Sequence, residues 1–300
     1  MSHTRRSVAP GLSFSRIACG MAGLAEACDT SPGAILKRIG TCLDHGITTL
    51  DQADIYGGYR SEELLGAALA QAPELRDRVE IVTKCGIVAP MGRHAAARLK
   101  HYDTSPDHIA RSVEASLRLM GIERIDLLLI HRPDPFLDPD ATGAALDRLV
   151  AQGKVAAVGV SNFRPHDLTL LQSRMQVPLC ANQIELGLAT PGALTNGDLA
   201  FLHERRLLPM AWSPLGGGAL LGETAPPRLR AALDTLARHR GVTPAAVALG
   251  WLLAHPAGIL PVIGSTRPER IAEMAAAFSV EIDRQTWFDL YTRALGNEVP

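Results

Sequence analysis

Four residues at or just past the ends of apolar runs in this 300-residue chain form a set able to polarise and protonate a carbonyl oxygen: Asp51, Tyr56, Lys84 and His131. Lys84 ends the run VEIVT, and a lysine in such a place needs a partner because taking an ammonium out of water costs several kcal/mol. Asp51, at the end of ITTL, is the natural partner, and Tyr56 follows five residues later in DQADIYGGY. A phenol titrates near 10 in water; a neighbouring cation favours the phenolate, and each tenfold gain in acidity reflects about 1.4 kcal/mol of interaction. The expectation is therefore a Tyr56 made acidic by Lys84, able to give up a proton near neutrality. His131, after IDLLLI, completes the quartet. Singly, each has a structural reading: an Asp–Lys strut, a packed turn tyrosine, a strand-end histidine bonded to backbone. Four such groups on neighbouring strand ends point instead to a site. The same lysine supports a second chemistry, a Schiff-base lyase or aldolase, with the glycines after Trp212 holding a substrate phosphate.

The elements that must position these groups repeat with regularity. Besides the three runs named, VAAVGV precedes Ser161, LCAN precedes Gln183, LLPMA precedes Trp212 and ILPVIG precedes Ser265, with segments of helical period between them. Seven or eight strand–helix units over this length predict an α/β fold, a parallel sheet closed into a (β/α)8 TIM barrel whose functional groups gather at the C-terminal rim. One domain spanning 1–300 is expected. Ser31-Pro32, Ser105-Pro106 and Thr243-Pro244 mark helix starts, and Ile109, Val113, Leu117 and Met120 give 106–120 an apolar stripe closed by Gly121. Two connections, 86–104 and 213–227, are too long for turns and are expected to wall ligands at the rim. The basic side chains of the first, Arg93, His94, Arg98, Lys100 and His101, read as a solvated run.

Composition narrows the function. Thirty basic and thirty-one acidic residues leave a net charge of −1, so no global field draws the chain to nucleic acid or an anionic membrane, and small-molecule chemistry is the expectation. The five cysteines are scattered and form no CxxC pair, which speaks against a disulfide framework or a metal site and suits a reducing, cytoplasmic setting. Pro10, Ser13, Ser15 and Arg16 break the stretch after Arg5-Arg6, so no signal peptide is expected, and no run approaches the roughly 20 apolar residues of a membrane span. No feature marks a dedicated protein-partner surface.

The segments GITTLDQADIYGGYRSEELLG, TKCG, LLLIHRPDP, GKVAAVGVSNF, NQIE, MAWSPLGGG and GSTRPERIAE, in this order, closely resemble the aldo-keto reductase superfamily, and the closing ALGNEVP resembles the tail of a bacterial oxidoreductase branch. The resemblance implies a barrel without a Rossmann domain that binds NADP(H) across its rim and reduces aldehydes or ketones. It implies Tyr56 as proton donor, Lys84 as the group lowering its pKa, Asp51 as the holder of Lys84, and His131 as the group orienting the carbonyl. It assigns Ser161, Asn162 and Gln183 to the nicotinamide carboxamide, Trp212 to stacking on the ring, and Ser213, Leu215 and Gly216 to the pyrophosphate. Gly264, Ser265, Thr266, Arg267 and Arg270 would meet the adenosine phosphate, Glu273 the adenine, and Gly20 and Met21 complete the cofactor set. Gly264 and Met274 depart from the lysine and asparagine common in the family; Gln52 and Arg132 replace a common threonine and tryptophan, at positions expected to lie outside the reacting set. Because potassium-channel β-subunits share the resemblance, a slow cofactor-holding redox sensor is a third reading.

Overall fold

The period-2 alternation inside each strand run divides its residues between two packing environments in the computed structural model, which describes residues 5–299. The ends of the expected 1–300 domain, residues 1–4 and 300, lie outside the described residues. Strands β1 (Arg5–Ala9) and β2 (Leu12–Ser15) form an antiparallel hairpin. They are followed by β3 (Ala18–Gly20), β4 (Thr49–Asp51) and β5 (Glu80–Cys85), then a small antiparallel pair, β6 (Ile87–Val88) with β7 (His101–Tyr102). The remaining strands are β8 (Ile125–Ile130), β9 (Val155–Ser161), β10 (Leu179–Glu185), β11 (Leu208–Trp212) and β12 (Leu260–Ile263). The eight strands β3, β4, β5, β8, β9, β10, β11 and β12 pair in parallel and close into a barrel where Val262 of β12 meets Ala18 of β3. Helices alternate with these strands, as the run pattern predicts.

One parity of each strand points into the barrel. Ala18, Val82, Leu127, Leu129, Ala157, Ala181, Leu208, Met210, Leu260 and Val262 form one apolar cluster, and Phe14 of the hairpin, fully buried, packs into it. The opposite parity, including Ile81, Cys85, Leu128 and Ile130, packs outward against helix residues such as Ile109, Val113 and Met120. The next inward positions at the C-terminal ends are Gly20, Lys84, His131, Ser161, Gln183, Trp212 and Gly264. The pleat therefore delivers these strand-end candidates to one rim, while Tyr56 comes from the turn after β4.

Helix starts follow the expected capping. Ser31, Ser105 and Thr243 each accept a hydrogen bond from the amide three residues on, opening Pro32–Asp44, Pro106–Met120 and Pro244–Leu253, and Gly121 ends the second in the left-handed region at φ 64°. Each cap contributes about 1 kcal/mol. Two elements go beyond the sequence expectation: β3 is only three residues long, ACG, and β1–β2 occupy the polar stretch broken by Pro10. The 86–104 connection is also more ordered than a loop, with β6–β7 and a 3-10 turn at Gly92–His94. Among the described residues, no helix is long and apolar enough to cross a membrane.

Helix Ser61–Leu69 packs so closely on helix Pro106–Met120 that a Cβ at Gly66 would lie 2.0 Å from the Leu119 carbonyl oxygen. Alanine gains about 1 kcal/mol in helix propensity over glycine. Overpacking against a backbone atom costs about 1–3 kcal/mol, and here the clash is severe. Gly66→Ala is accordingly expected to lower the unfolding midpoint in urea or heat; a midpoint equal to or above the parent's would contradict this packing.

Candidate active site

Lys84 is fully buried at the end of β5, and its ammonium donates to Asp51 Oδ1 at 2.9 Å, Asp51 Oδ2 at 2.8 Å, the Gln52 carbonyl at 2.8 Å and the Tyr56 hydroxyl at 3.2 Å. Three N–H donors thus serve four acceptors. Asp51, 2% exposed, also accepts from Gln183 Nε2 at 2.8 Å. Gln52 is held in turn by its side chain, whose Nε2 donates to the Ser61 carbonyl at 3.0 Å. The quartet inferred from the sequence is therefore assembled: Lys84 lies 5.0 Å from the Tyr56 ring centre, and the Tyr56 and His131 rings meet edge-on at 6.0 Å.

The electrostatics correct one expectation. Burial pushes the Tyr56 phenol above its ordinary 10, Lys84 opposes this, and Asp51 reinforces it. The reason lies in the geometry: Asp51 clasps Lys84 with both oxygens, so Tyr56 faces an ion pair rather than an isolated cation, and desolvation wins. Lys84 itself would be pulled down by burial, but Asp51 and Tyr56 outweigh that and raise it. His131 is pushed down to about 2, by burial first and then by Lys84 and Arg132, so it is a neutral imidazole. Its Nδ1 is buried without a hydrogen-bond partner.

The groups expected at the nicotinamide end are tied to one another. Ser161 Oγ donates to the Gln183 carbonyl at 2.9 Å, Asn162 Nδ2 donates to Ser161 Oγ at 2.8 Å, and Trp212 Nε1 donates to Asn162 Oδ1 at 2.9 Å. Asn162 and Ser213 hold φ at 61° and 47°, left-handed values that cost a non-glycine residue about 1–3 kcal/mol and that cluster at ligand sites. Gln183 has its amide nitrogen committed to Asp51, a role the sequence reading did not assign.

A cavity of about 840 Å³ runs along the rim. Its lining includes Asp51, Tyr56 and His131, then Gly20, Ser161, Asn162, Gln183, Trp212, Ser213 and Leu215, and also Gly264, Ser265, Arg270 and Glu273. Lys84 and Met21 are fully buried beneath it. Met21, expected in the cofactor set, is a core residue and is not on the cavity lining. Gly216, Thr266 and Arg267 also lie off the lining, whereas Gly217, Gly218 and Arg230 are on it, the last from helix Pro227–Arg240 and missed in the sequence. Arg132, placed outside the reacting set from the sequence, is in fact on the wall, with its guanidinium 5.8 Å from the Trp212 ring centre. Of the connection 213–227, residues between Ser213 and Gly222 wall the cavity and none of 223–227 does; no residue of 86–104 does. Nor is the basic run of 86–104 merely solvated, because Arg93 pairs with buried Asp54 at 3.0 Å. No cluster of three or more metal-ligating side chains occurs among the described residues.

Comparisons with known proteins agree with this geometry. The model of the Aldo/keto reductase family matches residues 16–290. The chain is 57% identical over 295 residues to the 6-dehydroglucose reductase of Agrobacterium fabrum, covering 98% of this chain and 99% of that protein. Among solved structures it is similar to a glycerol dehydrogenase of Gluconobacter oxydans, with TM-score 0.84 and 25% identity, covering 100% of this chain and 98% of that one. It is likewise similar to an aldo/keto reductase of Klebsiella pneumoniae solved with NADP and acetate, with TM-score 0.79, 25% identity and coverage of 96% and 94%.

Two outcomes follow from the buried charges. Lys84→Met strands the Asp51 carboxylate, and removing one partner of a buried pair costs about 3–5 kcal/mol, so the variant should unfold at markedly lower denaturant; an unchanged midpoint would contradict the pairing. The unfolded chain takes up a proton on its histidines near 6.5, whereas folded His131 does so only at about 2. The contribution of His131 to stability is thus complete above pH 6.5 and drains away as the pH falls toward 2. Its ring proton signals in NMR should stay flat between about pH 8 and pH 5, and a titration midpoint near the ordinary histidine value would contradict the assignment.

Proposed function

This chain belongs to the aldo/keto reductase family, and from that membership we propose that it reduces an aldehyde to an alcohol with NADPH, Tyr56 delivering the proton. The observation that carries the reading is the Tyr56 hydroxyl at 3.2 Å from a fully buried, Asp51-clasped Lys84, on the wall of a cavity whose lining also includes Arg270 and Glu273.

The residues present fit NADP(H). Gly217 and Gly218, at φ 64° and 99°, have open space where a Cβ would stand and line the cavity, which offers bare backbone to a pyrophosphate. Trp212 would stack on the ring, the Ser161–Asn162 pair would meet the carboxamide, and Arg270 at the start of helix Pro268–Ala275 would take the adenosine phosphate, with Glu273 near the adenine. Bound NADPH would supply the hydride that goes to the carbonyl carbon.

Everything else falls to the protein. A phenol held above 10 is fully protonated at neutral pH, which is the state a proton donor needs. As its O–H bond breaks and the proton passes to the carbonyl oxygen, the phenolate left behind is stabilised by Lys84, whose own proton is secured by Asp51. In the tautomer with its hydrogen on Nε2, a neutral His131 offers an N–H suited to orient the same oxygen. The Schiff-base alternative needs a neutral amine open to substrate. Lys84 is fully buried, engaged by four acceptors and held protonated, which disfavours that reading. The substrate proposed is a sugar aldehyde of the kind named for the 57% identical reductase, a choice that suits a wall carrying Arg132, Asn162 and His131.

Titrating the protein with NADPH while following nucleotide and tryptophan fluorescence should give saturable binding; its absence would remove the reading. Tyr56→Phe should lose about 10²–10⁴-fold in kcat on a sugar aldehyde with NADPH affinity unchanged, and full activity in that variant would take Tyr56 out of the mechanism.

A further inference from the structure

Tyr56 stands on a turn closed by two backbone bonds, from the Tyr59 amide to the Ile55 carbonyl at 3.3 Å and from the Arg60 amide to the Tyr56 carbonyl at 3.2 Å. Gly57, Gly58 and Tyr59 are three successive residues in the left-handed region, at φ 57°, 65° and 71°. Two are glycines with wide conformational freedom, and the third is a bulky residue held where such residues are strained. A turn of this kind keeps one geometry only when its surroundings impose it.

Residues 86–104 supply that constraint, and none of them lines the cavity. The Tyr59 hydroxyl donates to the Ile87 carbonyl at 3.1 Å and accepts from the Ala89 amide at 2.9 Å. Gly92, at φ 52°, sits so close that a Cβ there would lie 2.5 Å from the Gly58 carbonyl oxygen. Arg93 Nη2 meets Asp54 Oδ2 at 3.0 Å while its guanidinium lies 4.9 Å from the Tyr59 ring centre. The Asp54 side chain is fully buried, two residues before Tyr56, and its backbone amide donates to the Lys84 carbonyl at 3.0 Å. Arg93 is thus the one charged group of 86–104 that reaches the base of the turn, and it does so from a part-exposed position. Burial pushes the Asp54 carboxyl up to about 7, and Arg93 works against that rise, as a counter-ion should.

We propose that Arg93 is a positioning residue for Tyr56: by pairing with Asp54 it docks residues 86–104 onto the turn Tyr56–Tyr59 and holds the phenol over Lys84. The inference rests on the reading of Tyr56 as proton donor. It gives the long connection after β5 a function different from the ligand wall expected of it, since it braces the turn Tyr56–Tyr59 and does not line the cavity. Arg93 does not line the cavity, so its loss should act on the rate of the step Tyr56 performs rather than on nucleotide binding.

The test compares Arg93→Ala, Arg93→Lys and the pair Arg93→Ala with Asp54→Asn, which removes both charges and so avoids stranding a buried carboxylate. Three quantities are read: kcat at saturating NADPH and sugar aldehyde, NADPH affinity by fluorescence, and amide hydrogen exchange of 54–60 and 86–104. A misplacement of a reacting group by about 1 Å costs up to about 10²-fold, so Arg93→Ala should lose at least about tenfold in kcat with NADPH affinity unchanged. Arg93→Lys should recover part of the loss, and exchange should quicken in 54–60 as well as in 86–104. Parental exchange in 54–60 overturns the proposal in either variant background. Parental kcat despite quickened exchange overturns it too, because the brace would then have no bearing on Tyr56. If the parent protein has no turnover, or Tyr56→Phe keeps it, the proton-donor reading has failed instead; the exchange data then still decide the docking, quickened exchange in 54–60 supporting it.

Discussion

The contact between Lys84 and Asp51 is the constraint around which the rim is organised. Both groups are withdrawn from water, and in such surroundings an ion pair is tolerable only when every polar atom finds a partner. Asp51 meets this by accepting two bonds from Lys84 and one from Gln183, and Lys84 by spreading three donors over Asp51, the Gln52 carbonyl and Tyr56. The longest of the Lys84 contacts is the one to Tyr56. That ordering matters chemically, because the phenol receives only what field remains after Asp51 has taken its share. A proton donor needs to hold its proton until the carbonyl oxygen becomes basic, and a phenol facing a clasped ammonium does so better than one facing a bare cation.

The barrel makes this pair possible. Its interior is sealed at the bottom by Phe14 and filled by aliphatic side chains up to the level of Val82, Leu129 and Met210, so the next inward layer is the first that meets a ligand. Strand pleating alone then selects which residues form that layer. The surrounding connections divide the remaining work: residues of 213–222 and of helix Pro268–Ala275 line the cavity, while 86–104 packs on the turn Tyr56–Tyr59.

Much of this was legible in the sequence because period-2 alternation and the last polar residue of each run carry the same information as the inward parity of the barrel. Lys84, His131, Ser161, Gln183 and Trp212 were found that way. β3 escaped because ACG is too short and too small in side chains to show a period, and β1–β2 because a bottom-plugging hairpin needs only a few apolar contacts. The rise in the Tyr56 pKa escaped for a different reason: the sequence shows that a cation is near but not that it is already clasped, nor how deeply the phenol is buried. Arg93 looked like one of a solvated basic run, since its partner Asp54 is thirty-nine positions away and is hidden among residues read for other purposes. Arg132 was set aside because a departure from the family pattern says nothing about where the new side chain points; only coordinates put its guanidinium over Trp212.

The central claim is that Asp51 and Lys84 act as a unit, and a double-mutant cycle on stability and kcat measures that most directly. Asp51→Asn and Lys84→Met are made singly and together, each in the full-length protein. Residues in one buried network show interaction energies of about 0.5–3 kcal/mol, so the account predicts a double variant far less impaired than the sum of the single ones. Strict additivity of the two substitutions, in both quantities, would contradict it.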